Sequence, residues 1–570
     1  MTKYLALSIA LLAPVAMFAQ HNGSGKLSPD LQNKQTHQGS VRVIVQFKHP
    51  LNSSHQAKIR ARGGVVEAEL GIVKGMAASL PASALAILAR DADVAYISLD
   101  RPLKSTSIDV AAPSVYAPYL WNLGYDGTGI GVAIIDSGVH LVDDLKDAAG
   151  RSRVVYQQDF TGGNSDDAYG HGTHVAGIIA GNGKYSTCSS CKMLIRGVAP
   201  AATLVNLRAL DKNGAGNDSS VIGAINQAIA LKSKYNIRVL NLSLGRPIYE
   251  SYTLDPLCQA VEKAWQAGIV VVVAAGNDGR DNSKGTDGYG TINAPANDPM
   301  VIAVGAMNTH GTPDRSDDTV TSYSSKGPST IDHIVKPDIV APGNQIVSLE
   351  QGYLKSAYPN NRVPNSFYQT TTGSTLSDKY FVLSGTSMAA GAVSGVIADL
   401  LEAHSALTPD QVKASLMKTA SKSFPAFSTV VDSGVTYTSQ YDVFTIGAGY
   451  IDAQAALDDS SLANLPATSP TAYFDSASGN VYFLYDQNAL WGSNALWGSS
   501  TIWGANAFVG SSNLSGTNAL WGSNALWGSN ALWGSNTVDG FNALWGSNAL
   551  WGSASGAQTQ SLSVDIDGEN

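Results

Sequence analysis

Four short stretches carry side chains whose chemistry fits hydrolysis through a covalent intermediate. Asp136 closes the apolar run Ala133-Ile-Ile-Asp136 and is followed by Ser137 and Gly138, so a carboxylate stands where a buried strand ends. His171 lies in Gly170-His171-Gly172-Thr173-His174, after an acidic loop and at the start of a helix of small residues. Ser387 lies in Gly385-Thr386-Ser387-Met388, where a long apolar helix begins. Unsatisfied backbone N–H groups and the positive end of the helix dipole there suit an alkoxide or an acyl oxyanion. Asn277 follows Val-Val-Val-Ala-Ala-Gly276, and its amide can donate to such an oxyanion.

Taken singly, each stretch has a plainer explanation. Asp-Ser-Gly and Gly-Asn are ordinary turns, and a serine in a first helical turn is an ordinary cap. His171 and His174 share a helical face and suggest a metal pair, but Gly172 stands where a His-Glu-x-x-His helix needs glutamate. Taken together, the order Asp, His, Asn, Ser, each at a strand end or helix start, points to a triad with an oxyanion donor.

The elements that must hold these residues read as an α/β fold, a doubly wound and mainly parallel sheet. Strands are expected at 132–135, 204–207, 239–242, 269–275 and 301–304, with helices at 220–234 and 256–267. In such a sheet, sites form at the carboxyl ends of the strands.

From about Gly127 to Asp452 the chain resembles the subtilisin-like serine proteases. The resemblance rests on the four motifs in their order, and on Tyr323-Ser-Ser-Lys-Gly-Pro328 and Lys336-Pro-Asp-Ile-Val-Ala-Pro-Gly343. It implies that Asp136 orients His171, that His171 takes the proton from Ser387, and that Asn277 stabilises the oxyanion. It also implies that Ser243, Leu244 and Gly245 pair with the substrate backbone opposite Ala274, Ala275 and Gly276, which line a roomy, apolar first specificity pocket. Asp278 leaves the charge preference of that pocket open. No cofactor is required for this chemistry. Many relatives carry a calcium loop after the histidine helix, but here residues 183–193 hold an insertion with Cys188 and Cys191, and Asp144 is the one calcium ligand suggested.

Around this catalytic domain, at 108–457, other parts are expected. Lys3 and the apolar run Leu5 to Ala19 read as a signal peptide over 1–19, hence a secreted or cell-surface protein. Residues 40–104 follow a β-α-β-β-α-β order. Their size and strand order are similar to the family's propeptides, which implies an intramolecular inhibitor and folding assistant cut off between about Arg101 and Ile108. Residues 458–487 read as a linker. From Asn488 to Ser553 a hexad, Asn-Ala-Leu-Trp-Gly-Ser, runs in frame with Gly always fifth and an apolar residue always third, as in a small β-solenoid or a low-complexity tail. Residues 554–570 form an acidic C-terminal tail.

Three cysteines leave one unpaired. Cys188 and Cys191 suit a short-range disulfide, and a zinc half-site lacks a second pair; Cys258 reads as a buried thiol. A net charge of −9 with 14% charged residues in 570 excludes a basic nucleic-acid-binding face. Protein or peptide substrates are the expected partners. A second class of function, a surface adhesion protein acting through its repeat with an inert protease domain, requires the four chemical residues to be idle. The repeat's partner, a cell surface or another copy of itself, is open.

Overall fold

The computed structural model describes residues 26–28, 31, 39–100, 102–105, 111–283, 285–370, 375–425, 427–432, 435–460, 466–475, 480–484, 512–514 and 568–569. The signal-peptide stretch and nearly all of the hexads lie outside them. Among the described residues, no helix is long and apolar enough to cross a membrane.

The first unit is β1 (Ser40–Phe47), α1 (Ser53–Arg60), β2 (Val65–Leu70), β3 (Gly75–Pro81), α2 (Ala82–Ala89) and β4 (Val94–Leu99). Its sheet is antiparallel with strand order β2-β3-β1-β4, the split βαβ plan. Strand period decides what each face covers. Val43, Val45 and Phe47 of β1 pack into the unit's own core with Ile59, Leu85 and Leu88. Ile44, between them, points the other way and joins Leu70, Val73 and Ala77 in the core of the larger unit. Polar ties sit on the same seam: Asp100 accepts from Ser219 N at 2.7 Å and from Arg42 Nε at 2.5 Å, and Gln46 donates to Gln259 at 2.7 Å.

A short strand, β5 (Pro102–Ser105), leads into the larger unit. Its sheet is built from β6 (Gly131–Asp136), β7 (Val154–Asp159), β8 (Thr203–Arg208), β10 (Ile237–Leu242), β12 (Val270–Ala274), β13 (Ile302–Asn308), β14 (Thr319–Val320) and β15 (Ile339–Pro342); β9 (Ala215–Asn217) and β11 (Leu244–Gly245) stand apart beside β5. The order is β14-β13-β12-β10-β6-β8-β7 with β15 also on β13; every pair is parallel save β13 with β14. All five residues of β12, Val270 to Ala274, are buried, as both-face burial in a parallel sheet requires. Strands β7 and β15 carry no clear signal in the sequence: β7 is half polar, and β15 is bounded by prolines.

Helices α3 (His171–Ala180), α4 (Asp218–Tyr235), α5 (Pro256–Gln266) and α6 (Thr386–Ala403) cover the sheet. Helix α6 is buried from Thr386 to Leu401, which its small residues permit. A Cβ on Gly391 would lie 3.4 Å from Ile178 and 3.6 Å from Val175 of α3, and one on Gly395 would lie 2.5 Å from Val198 Cβ.

One expectation needs correction. Residues 458–487 are not simply a linker: Ser469 Oγ donates to buried Asp338 at 2.6 Å, Val335 N donates to Pro470 O, and Thr471–Asp475 pairs with Asn480–Leu484, which pairs in turn with Ser512–Leu514. The Ala/Ser/Thr/Pro composition conceals this because backbone groups and one hydroxyl make the attachment. Within the acidic tail, Glu569 is buried.

Gly395→Val is expected to destabilise the protein by about 1–3 kcal/mol, because β-branched atoms must displace Val198, whose Cβ would lie 2.5 Å from the new Cβ. Scanning calorimetry at matched concentration checks this, and an unchanged midpoint would show that the helix has room to shift.

Candidate active site

Asp136 ends β6 with its side chain fully buried. Its Oδ1 accepts from Ser137 N and from His171 Nδ1, both at 2.7 Å. His171 is the first residue of α3, after Gly170 at φ +114°. The close approach depends on Gly172, where a Cβ would stand 2.2 Å from Gly138 O and 3.1 Å from Asp136 Cβ. The start of α3 is capped from a distance by Asp167, which accepts from Gly170 N, Thr173 N, Thr173 Oγ1 and Ser137 Oγ at 2.7 to 2.9 Å. Burial pushes the Asp167 carboxyl up against the pull of these donors.

His174 belongs elsewhere: its Nε2 lies 3.1 Å from Phe381 O, and burial lowers its pKa to about 3, so it is a neutral core histidine. With His171 turned to Asp136 and His174 to a carbonyl, the two imidazoles do not converge.

Ser387 is the second residue of α6. Val175 and Gly391, the touching residues of α3 and α6, each lie four positions past His171 and Ser387, so the two helices present both side chains at one end of the sheet. Ser387 Oγ donates to Ser243 O at 3.3 Å, and Ser243 Oγ donates to Ser387 O at 2.7 Å. Asn277 Oδ1 accepts from Thr386 N at 2.9 Å and from Thr386 Oγ1 at 3.0 Å. That fixes the amide with its oxygen on the Ser387 helix and its nitrogen on the opposite side.

Beside these residues, β11 carries Leu244 and Gly245, the latter paired antiparallel with Lys104 of β5 and the former with Ser105. The other edge of β5 pairs with Ala215–Asn217, matching Leu103 to Gly216 and Lys104 to Ala215. The family resemblance implies an edge at 243–245 and gives none at 215–217, whose mark in the sequence is the small-residue run Gly214-Ala215-Gly216. Ala274, Ala275 and Gly276 are buried next to it, and Gly276, at φ +117°, leaves no room for a side chain, since a Cβ would meet Asn293 Nδ2 and Ser325 Oγ at 2.7 Å. Asp278 is turned to Asn293, whose Nδ2 donates to it at 3.1 Å, and burial raises its pKa.

Cys188 and Cys191 are joined as a disulfide with Cα atoms 4.9 Å apart, and Cys258 is a buried free thiol. Asp144 is buried, with its carboxylate accepting from Tyr185 N at 2.7 Å and from Tyr380 OH at 3.4 Å. Arg153 already donates to the carbonyls of Asp144, Ala180 and Ala202. Calcium needs six or more oxygens facing one point, and a guanidinium among them does not fit that ion.

A doubly wound sheet with a buried carboxylate on an imidazole, and a serine opening the neighbouring helix, defines a serine-type hydrolase. The Subtilase family description matches residues 127–449. Serine protease AprX of Bacillus subtilis (strain 168) is 33% identical over 406 residues, covering 67% of this chain and 82% of its own. Subtilisin E of the same organism is 32% identical over 422 residues, covering 73% and 90%. The fold is also that of fervidolysin from Fervidobacterium pennivorans, with a TM-score of 0.55 at 23% identity over 75% of this chain and 62% of that one. The chain belongs to the subtilase family and is a serine-type endopeptidase.

Two outcomes are expected. Asn277→Ala should lower kcat by roughly 10² to 10³, the loss known for an oxyanion donor in subtilisin, with KM little changed in steady-state assays. Burial raises Asp144 to about 6 from an ordinary 3.8, so the folded state resists losing this proton and loses stability as pH rises from about 4 to 6. Asp144→Asn should therefore gain in thermal midpoint over the parent across that window, with the gain level above it. If calcium at pH 7 raises the midpoint of the parent more than that of Asp144→Asn, this reading of the site is overturned.

Proposed function

We propose that the protein is an exported endopeptidase, made as a precursor, that cleaves proteins through an acyl-enzyme on Ser387. His171 takes the hydroxyl proton as Oγ attacks the peptide carbonyl, and returns it to the leaving amine. Asp136 holds the imidazole with Nδ1 protonated and opposes the charge that develops on it. Asn277 Nδ2 and the amide at the start of α6 meet the oxyanion. The substrate enters as an extended strand against Leu244–Gly245 on one side and Ala215–Asn217 on the other, with Ala274 to Gly276 beneath the side chain that precedes the cut.

The observation that carries this reading is β5. The chain's own residues Pro102–Ser105 fill the middle of that three-stranded arrangement, directly after the 40–99 unit. This supports residues 40–104 as an intramolecular inhibitor, with self-cleavage beyond Ser105 and inside the expected 101–108 span. Export is supported by the apolar N-terminus and by a 32% identical relative named Extracellular serine proteinase, from a Thermus strain.

Purified protein should hydrolyse casein and lose its first hundred or so residues by mass spectrometry, while Ser387→Ala does neither. A Ser387→Ala chain that still matured in isolation would overturn self-processing, and a wild type that matured but left casein intact would restrict the substrates to something narrower.

A further inference from the structure

The described chain ends on two residues, Gly568 and Glu569, seated in a slot of the catalytic domain. The Glu569 carboxylate accepts from Arg280 Nη2 and from Ser322 N, both at 2.8 Å, and from Ser322 Oγ. Its peptide group is read as well. Asn344 Nδ2 donates to Glu569 O at 2.7 Å while Glu569 N donates back to Asn344 Oδ1 at 2.8 Å, and Gln345 Nε2 donates to the same carbonyl at 2.9 Å. Gly568 sits at φ +69°, and a Cβ there would lie 2.1 Å from Ser384 Oγ and 2.7 Å from Asn344 Oδ1. The slot thus tests for a missing side chain at one position and a carboxylate at the next. Arg280 is itself held from behind, stacked on Tyr437 and paired with Asp432 at 2.5 Å.

We propose that Gly568–Glu569 is a docking peptide, recognised in cis, that fixes the far end of the hexad segment against the turn presenting Ser387. The floor of the slot is that turn: Gln345 N donates to Ser384 Oγ at 3.1 Å, and Gly385 N donates to Gly343 O at 2.7 Å, three and two residues before the nucleophile. The near end of the segment is held too, through Thr471–Asp475 and Asn480–Leu484. The hexads are therefore tied to the catalytic domain at both ends, and a cut within them leaves both pieces attached. Occupancy of the slot braces the 343–345 and 384–386 backbone, so the tail's end acts as a positioning element for the serine.

The test uses the full chain with Ser387→Ala, which removes self-cleavage, and a labelled peptide of residues 563–570. The peptide is expected to bind the Gly568→Val chain about tenfold or more tighter than the parent, whose own end competes at high effective concentration. A peptide carrying Gly568→Val is expected not to bind. Equal binding to both chains, or to neither, overturns the proposal. Independently, Glu569→Gln in the full chain should speed hydrogen exchange about tenfold at residues 343–345 and 384–386, and unchanged exchange there overturns the brace. A parent that sediments as a dimer, and loses this protection on dilution, would assign the slot to a second copy and overturn docking in cis.

Discussion

The site depends on a carboxylate that takes no part in the chemistry. Asp167 is buried and collects donors from the Asp136 loop, through Ser137, and from the first turn of α3, through Gly170 and Thr173. Without it, five hydrogen-bond donors, Tyr169 N among them, would lose this partner in an interior where each costs on the order of 1–3 kcal/mol to leave unmade. With it, a strand end and a helix start become one rigid body, and the 2.7 Å contact between His171 and Asp136 follows from their attachment. The serine joins that body by helix packing, where Gly391 lets α6 lie against Val175 and Ile178.

The same economy governs the groove. Two short edges, Leu244–Gly245 and Ala215–Asn217, do not pair with each other, and β5 stands between them as the shared strand. A strand in that place is held through its backbone, and on the substrate path proposed above this leaves the peptide's sequence largely unread. On the same proposal selection falls to the 274–276 pocket, where the Gly276 backbone stands against Asn293 and Ser325, and Asp278 accepts from Asn293.

Much of this was legible from residue order alone. The apolar runs that form β6, β8, β10 and β12 are long and rich in β-branched residues, and the four chemical motifs sit at the ends that the sheet brings together. What escaped has a common cause. The bond of Ser137 to Asp167, that of Thr386 N to the Asn277 side chain, and the pairing of the 215–217 edge each join parts remote in sequence, and neither composition nor period carries such pairings. Asp144 reads as a calcium ligand because an acid in a loop looks available, whereas burial beside Tyr185, Tyr380 and the Arg153 guanidinium closes it off. The seat of Glu569 is equally silent in the sequence, since the Arg280 that receives it lies 289 residues away.

The alternation along β1 has a consequence for the 40–99 unit on its own. Val43, Val45 and Phe47 stay covered by the small unit's own helices, but Ile44, Leu70, Val73 and Ala77 are covered only by the enzyme. Severed from the enzyme, that unit bares an apolar face and forfeits the burial on one side of its sheet, so it is left a marginal fold of some sixty residues. A marginal fold opens often, and an open chain is what an endopeptidase digests. If the unit is the inhibitor proposed above, its departure is then a one-way step, since the freed chain is itself a substrate.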